Sequence, residues 1–159
     1  MRLGILSDTH GLLRPEVLEV FAKVDRILHA GDVGDPAILD ALGALAPVTA
    51  AYGNVDGSVL RARLPRVAEA KVDGFVVVVT HGDQLGMPEP NGLKAMFPHA
   101  EVIVYGHTHR PLITDFDDYV VALNPGCAGP AREGAVPTVA IMETEPGIPP
   151  RARIVPLGA

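Results

Sequence analysis

The feature that most restricts the fold of this chain is a repeated design. Short β-branched apolar runs alternate with helical stretches, and five of the runs end in a polar residue of the kind that binds metals. In the first two-thirds this alternation predicts an α/β arrangement with mostly parallel strands. "LGILS" (Leu3–Ser7) reads as a strand. Pro15 opens a helix to about Val24, with Val17, Leu18, Phe21 and Val24 at helical spacing. "RILHA" (Arg26–Ala30) is a second strand. Asp35-Pro36 marks an N-cap and N1 proline for a helix carrying Ile38, Leu39, Leu42 and Leu45. "PVTAAY" (Pro47–Tyr52) is a third strand.

The pattern then changes. Two strands flank Asp73-Gly74, a strong two-residue hairpin signal. Asn91 is expected to cap a short helix through Phe97, followed by the strand "EVIVYG". The last third reads as an antiparallel meander of short strands, with the acidic "DFDD" (Asp115–Asp118) as a solvated turn. Parallel strands first and antiparallel strands last predict two packed sheets with helices outside, formed by one domain over residues 1–159.

The strand endings carry the chemistry. "GILSDTHG" presents Asp8 and His10, "ILHAGD" presents Asp32, "AAYGN" presents Asn54, "VVVVTHG" presents His81, and "VIVYGHTH" presents His107 and His109. In open α/β sheets the carboxyl ends of the strands form the ligand-binding edge. Gly31, Gly53, Gly82 and Gly106 adjoin these residues, suiting loops that crowd around one point. Imidazole, carboxylate and carboxamide donors without thiolate suit Mn, Fe, Zn, Ni or Co. Seven donors exceed one tetrahedral site and fit two ions that share a carboxylate.

Composition removes several alternatives. The net charge is −6 and no Lys/Arg block occurs, so no nucleic-acid polymer is expected as a partner. Cys127 is the single cysteine, which excludes an internal disulfide and fits a reducing compartment. No apolar stretch approaches the roughly 18 residues needed to span a bilayer, and the N-terminus lacks a signal-peptide apolar region. A soluble, cytoplasmic protein is the expectation.

Taken in order, D-x-H, G-D, G-N, H-G and G-H-x-H resemble the signature of the calcineurin-like metallophosphoesterases. "SDTHG", "HAGD", "GHTH" and "NPG" resemble their small prokaryotic phosphodiesterase branch, and the likeness runs from Met1 to about Pro130. The resemblance implies a four-layer, two-sheet α/β sandwich flanked by helices. It also implies two divalent ions, Mn first, with Ni, Co, Fe and Zn compatible. Asp8, His10, Asp32 and His109 would hold one ion; Asp32, Asn54, His81 and His107 would hold the other. Asp32, Asn54 and His81 are the residues expected to act at the reacting phosphate. A bridging hydroxide would attack a small phosphate ester, a diester ahead of a monoester.

Two departures stand out. The family's frequent "GNH" is "GNVD" here, and Val55 cannot donate a proton to a leaving group. Its usual serine after "NPG" is Cys127, read as a small residue packed beside the site. His29 is read as structural or supporting, His99 as exposed, and Arg14, Asp83 and Arg132 as candidates for substrate contact. A competing reading is a non-catalytic scaffold, since a eukaryotic retromer subunit resembles the same fold with a degraded metal site. The complete donor set favours catalysis. A metallo-β-lactamase-like hydrolase is rejected because "GHTHRP" stops short of the required H-x-H-x-D-H. Homo-oligomers are common among compact enzymes, but no segment declares an interface.

Overall fold

A computed structural model describes residues 1–117, 119–132 and 134–158. The strands are β1 (Arg2–Leu6), β2 (Arg26–His29), β3 (Val48–Ala50), β4 (Val67–Val72), β5 (Phe75–Thr80), β6 (Val102–Val104), β7 (Leu112–Asp115), β8 (Val121–Asn124), β9 (Thr138–Glu145) and β10 (Ile148–Pro156). The helices are α1 (Pro15–Val20), α2 (Pro36–Gly43), α3 (Ser58–Arg63) and α4 (Pro90–Met96). The strands form two five-stranded mixed sheets, ordered β10-β9-β1-β2-β3 and β4-β5-β6-β8-β7. Parallel pairing joins β1, β2 and β3 in the first sheet, and β5, β6 and β8 in the second.

Side-chain alternation explains why both sheets are buried on two faces. In β5, Val77 and Val79 point into the layer between the sheets, where they meet Leu3, Ile5, Leu28, Val102, Val104 and Leu123. Val78 points the other way, onto Leu93 and Phe97 of the α4 segment. On the first sheet, Leu6, Ile27 and Ile141 face Val17, Phe21, Ile38, Leu39 and Leu42 from the helical side. A continuous "FVVVV" is the pattern such doubly covered strands require. The result is four layers: helices, sheet, sheet, helix. Gly4 lets the Phe21 ring lie directly on β1, since a Cβ there would sit 2.8 Å from the ring. Burying that ring contributes about 1.5–3 kcal/mol.

Most predicted elements are present, with four differences. Helix α1 stops at Val20 rather than near Val24, because Ala22 and Val24 turn back onto Glu19 and Phe21 through tight three-residue hydrogen bonds. Asn91 is not a cap: Glu89 holds that position and Pro90 starts α4, leaving Asn91 inside the helix. Helix α3 was not expected; it buries only Leu60 and so has almost no apolar stripe. The C-terminal third is not one meander. Strands β7 and β8 join the second sheet, with β8 parallel to β6, whereas β9 and β10 return to the first. The Asp73-Gly74 hairpin is as expected, with both residues at positive φ (49° and 85°). In "DFDD", β7 ends at Asp115, and Asp118 lies outside the described residues. No helix among the described residues is long and apolar enough to cross a membrane.

Candidate metal centre

The loops after β1, β2, β5 and β6 meet at the carboxyl edge of both sheets. Backbone hydrogen bonds carry the β1–β2 pairing on past the strand ends: Asp8 N–H to Gly31 O (3.0 Å), His10 N–H to Asp32 O (2.9 Å) and Gly11 N–H to Val33 O (2.9 Å). Gly106 N–H donates to His81 O (3.1 Å), tying the β6 loop to the end of β5. Within this lattice Asp8, His10, Asp32, His107 and His109 all adopt left-handed φ, between 46° and 72°. For non-glycine residues that conformation costs about 1–2 kcal/mol each. Such strain persists only where the surroundings dictate it, and it gathers at functional sites. Here it falls on five of the seven residues singled out from the sequence.

Two glycines make the approach possible. A Cβ on Gly53 would run into Asp32 Oδ1, and one on Gly106 would run into Ser7 Oγ and Asp8 Oδ2. Asp56, three percent exposed, fastens the other side of the site. Its carboxylate accepts the N–H groups of Val33, Gly34 and Gly53, locking the Asp32 loop against the Asn54 loop. His29 does the same for the first loop. Its Nδ1 accepts Gly31 N–H, so Nε2 carries the proton and donates to Thr9 Oγ1 (3.0 Å), which in turn donates to Val33 O (2.8 Å). Burial pushes the His29 pKa down to about 4, keeping the ring neutral.

Two clusters result: Asp8 with His10 and His109, and Asp8 with Asp32 and His81. Asp8 Oδ1 lies 3.2 Å from His109 Nε2, 3.6 Å from His10 Nε2 and 3.8 Å from His81 Nε2. Asp32 Oδ2 lies 3.0 Å from His81 Nε2 and 3.7 Å from His10 Nε2. His107 Nδ1 is 3.3 Å from His81 Nε2, and the Nε2 atoms of His10 and His109 are 3.4 Å apart. Asn54 stands apart. It is exposed, its backbone carbonyl accepts Arg61 Nη2 at 3.0 Å, and among the described residues no hydrogen bond joins its side chain to the other six.

These atoms fit a divalent cation. Asp8 Oδ1 is buried without accepting a hydrogen bond, although three imidazole nitrogens surround it. His81 Nδ1 lies 2.8 Å from Ala30 O, and a carbonyl can only accept, so Nδ1 is the donor. In the neutral ring Nε2 then holds a lone pair directed at a carboxylate. Such facing acceptors need a proton or a metal ion between them. The pKa directions agree. Burial opposes ionisation of Asp8, but the His10 and His109 contacts and the His81 charge outweigh it and hold its carboxyl well below the usual range. Burial likewise opposes ionisation of Asp32, and contact with His81 overcomes it. Contact with Asp8 raises His10; for His81, the Asp32 contact and the two acidic charges overcome burial and raise it. The two carboxylates draw positive charge onto the imidazoles, which is the role a bound cation would take over.

The flanking residues have definite roles. Arg14 donates through Nε and Nη2 to Gly129 O, so it braces a loop rather than facing the cluster. Asp83 pairs with Arg66 at 3.1 Å. Exposed His99 pairs with Glu69 at 3.3 Å. Cys127 is packed with Sγ 3.3 Å from Asp8 O, and burial pushes its pKa up, so the thiol stays protonated. Residues that sequence reasoning missed are Ser7, whose Oγ donates to Asp8 Oδ2 at 2.7 Å, and Thr9. Their only signal was adjacency to Asp8 in "SDTH".

The profile of the calcineurin-like phosphoesterase superfamily domain matches residues 1–147. A probable metallophosphoesterase of Methanocaldococcus jannaschii is 38% identical over 135 residues, covering 79% of this chain and 67% of the relative. A phosphodiesterase of the same organism is 32% identical over 163 residues, covering 91% of this chain and 94% of the relative. Among solved structures, Vps29 of Entamoeba histolytica complexed with zinc superimposes with a TM-score of 0.78 at 20% identity, covering 99% of this chain and all of that one (100%). At that identity the likeness concerns the fold.

Proposed function

The chain belongs to the calcineurin-like phosphoesterase superfamily, and from that premise we propose that it hydrolyses phosphodiesters of small molecules at a two-ion centre. The observation that carries this reading is the buried Asp8 Oδ1, which accepts no hydrogen bond and has three imidazole Nε2 atoms within 3.8 Å. Asp8, His10, Asp32 and His109 would hold one ion, and Asp32, His81 and His107 the other, with Mn the first candidate; Asn54 would complete the second set only by turning inward from its exposed position. Such ions, when bound, supply Lewis-acid charge for the phosphoryl oxygens and acidify a water to serve as nucleophile at neutral pH.

The protein's own part is positioning and electrostatics. Ala30 O fixes the His81 tautomer through Nδ1, so that Nε2 faces inward. Ser7 Oγ and the His107 backbone N–H both donate to Asp8 Oδ2, leaving Oδ1 as the free lone-pair atom. Val55 N–H donates to Asp32 Oδ1 at 3.1 Å and orients that carboxylate. Val55 cannot protonate a leaving group, so turnover should depend on the acidity of the departing alcohol. The similarity to a named phosphodiesterase along most of the chain favours diesters, and the net charge of −6 argues against a polymeric nucleic acid. The cytoplasm is the proposed location.

The test is hydrolysis of bis(p-nitrophenyl) phosphate by chelator-stripped protein, before and after addition of Mn²⁺. Ion-dependent release of nitrophenolate supports the reading. Ion binding without cleavage of any ester would favour a Vps29-like protein-binding role on the same fold.

A further inference from the structure

A cleft of about 400 Å³ opens beside His107. That volume lies within the range typical of small-ligand sites, roughly 300–1,000 Å³. Met87, Pro88 and Pro90 form one wall, Leu112 of β7 forms another, and Tyr105 lies within it. The wall is stiff where it turns. Gly82 and Gly86 both take positive φ, and Pro88 packs so closely on Gly82 that a Cβ there would sit 2.9 Å from its ring. Met87 and Leu112 are 67% and 47% exposed, so two large apolar side chains face this space rather than the core.

Glu89, between the two prolines, brings one carboxylate to the wall, and the positive charge of the cleft is carried by two arginines. Arg110 and Arg132 line it together with His107 and Thr108, and both also line a smaller depression of about 190 Å³ that contains His109 and Cys127. The "GHTH" segment is therefore a ridge between two hollows, flanked by two guanidinium groups. Asn124 holds that ridge through Nδ2 bonds to Gly106 O (3.2 Å) and Thr108 Oγ1 (2.9 Å), and the same hydroxyl accepts Arg110 N–H. Neither Arg110 nor Arg132 forms an ion pair with a described carboxylate. Both are exposed and line hollows that also contain His107 or His109, and guanidinium groups suit the single negative charge of a phosphodiester.

We propose that this cleft holds one ester arm of the substrate, that the arm is a flat, uncharged aromatic group, and that Arg110 and Arg132 pair with the phosphoryl oxygens beside it. The proposal rests on the phosphodiesterase reading above and names the substrate class for it. A proline-stiffened apolar wall favours a flat ring, because burial of a ring on preformed apolar surface needs no rearrangement. A diester can seat one arm in the cleft while the other departs, whereas a monoester has a single arm, which is also its leaving group.

The test compares diphenyl phosphate with dimethyl phosphate as ligands of the Mn²⁺-loaded protein, by calorimetry and by inhibition of bis(p-nitrophenyl) phosphate cleavage. The two anions carry the same charge and differ in their arms. The wild type should bind the diphenyl ester at least about tenfold more tightly. Leu112→Trp, which fills the cleft from an edge strand, and Met87→Glu, which replaces apolar wall by a carboxylate beside Glu89, should each bring the two affinities within about threefold of each other. Equal affinities in the wild type, or a preference that survives both substitutions, would overturn the cleft assignment while leaving the hydrolase intact. Absence of diester cleavage by the loaded wild type would sink the phosphodiesterase reading, and this substrate assignment with it.

Discussion

The His81 ring is pinned between two oxygen atoms of opposite character: Nδ1 lies 2.8 Å from the Ala30 carbonyl, and Nε2 lies 3.0 Å from Asp32 Oδ2. The first contact settles the tautomer, and the second then sets a lone pair against a carboxylate. That arrangement is stable only with positive charge at the junction, which makes Asp32 and His81 a matched pair rather than two independent ligands.

Asp32→Asn removes half of the carboxylate charge facing His10 and His81 and replaces one oxygen by an amide. Turnover with Mn²⁺ should fall by at least about 10²-fold, with the far-ultraviolet circular dichroism spectrum unchanged. Activity within tenfold of the wild type would remove Asp32 from the centre.

Gly106→Ala tests the crowding at the ridge. The new methyl group would collide with Ser7 Oγ and Asp8 Oδ2, and relieving the overlap must move Asp8 or the loop that carries His107. We expect a loss of about 1–3 kcal/mol in stability together with weakened Mn²⁺ binding, read by thermal melting and calorimetry. Unchanged metal affinity would mean that the β6 loop does not set the Asp8 position.

The buried His29 carries a pH signature. Its pKa is lowered from 6.5 to about 4 in the folded protein, so between those values the unfolded chain binds a proton that the native state refuses. The contribution to stability is therefore complete above about pH 6.5 and is lost as the pH falls toward 4, for a total of ~3 kcal/mol. His10 and His81, whose values are raised, act in the opposite sense: they stabilise the metal-free protein below 6.5, and that contribution is lost at higher pH. The clean comparison is thus wild type against His29→Gln in metal-free buffer. The wild type should lose stability relative to the variant from pH 6.5 to 4; parallel curves would contradict a neutral, buried His29.

Val55 is 59% exposed and its N–H already serves Asp32, so a side chain introduced there stays in solvent at the rim of the site. Val55→His should raise turnover of esters with poor leaving groups by about 10-fold or more, with little change for nitrophenyl esters. An equal effect on both substrates would argue against leaving-group protonation as the missing function.

The convergence of six of the seven donors was legible because they stand at or just past the ends of apolar runs: Asp8 after "LGILS", Asp32 one glycine beyond "RILHA", His81 after "FVVVVT". Strand direction alone then brings the loops to one edge. The supports were legible only in outline: the sequence suggests that Asp56 orders the Asn54 loop and that His29 is structural, but not which groups they hold. Asp56 acts through three backbone N–H groups from two loops, and His29 through Gly31 and Thr9, relations that exist only after folding. Asp8 and His107, both at left-handed φ, are likewise held by cross-loop hydrogen bonds, Asp8 N–H to Gly31 O and His107 N–H to Asp8 Oδ2. The division of the last strands between sheets depends on β8 pairing in parallel with β6. The four buried residues of "VALN" hint at a central strand, whereas a solvent-facing meander would alternate.

The central claim is that the converging carboxylates and imidazoles bind two ions that turnover requires. The most direct measurement is the number of Mn²⁺ ions bound per chain by chelator-stripped protein, with bis(p-nitrophenyl) phosphate hydrolysis followed at each point of the titration. The account predicts saturation at about two ions per chain and activity that rises with their occupancy. Full activity in the stripped protein, or no binding at the concentrations that restore activity, would contradict it.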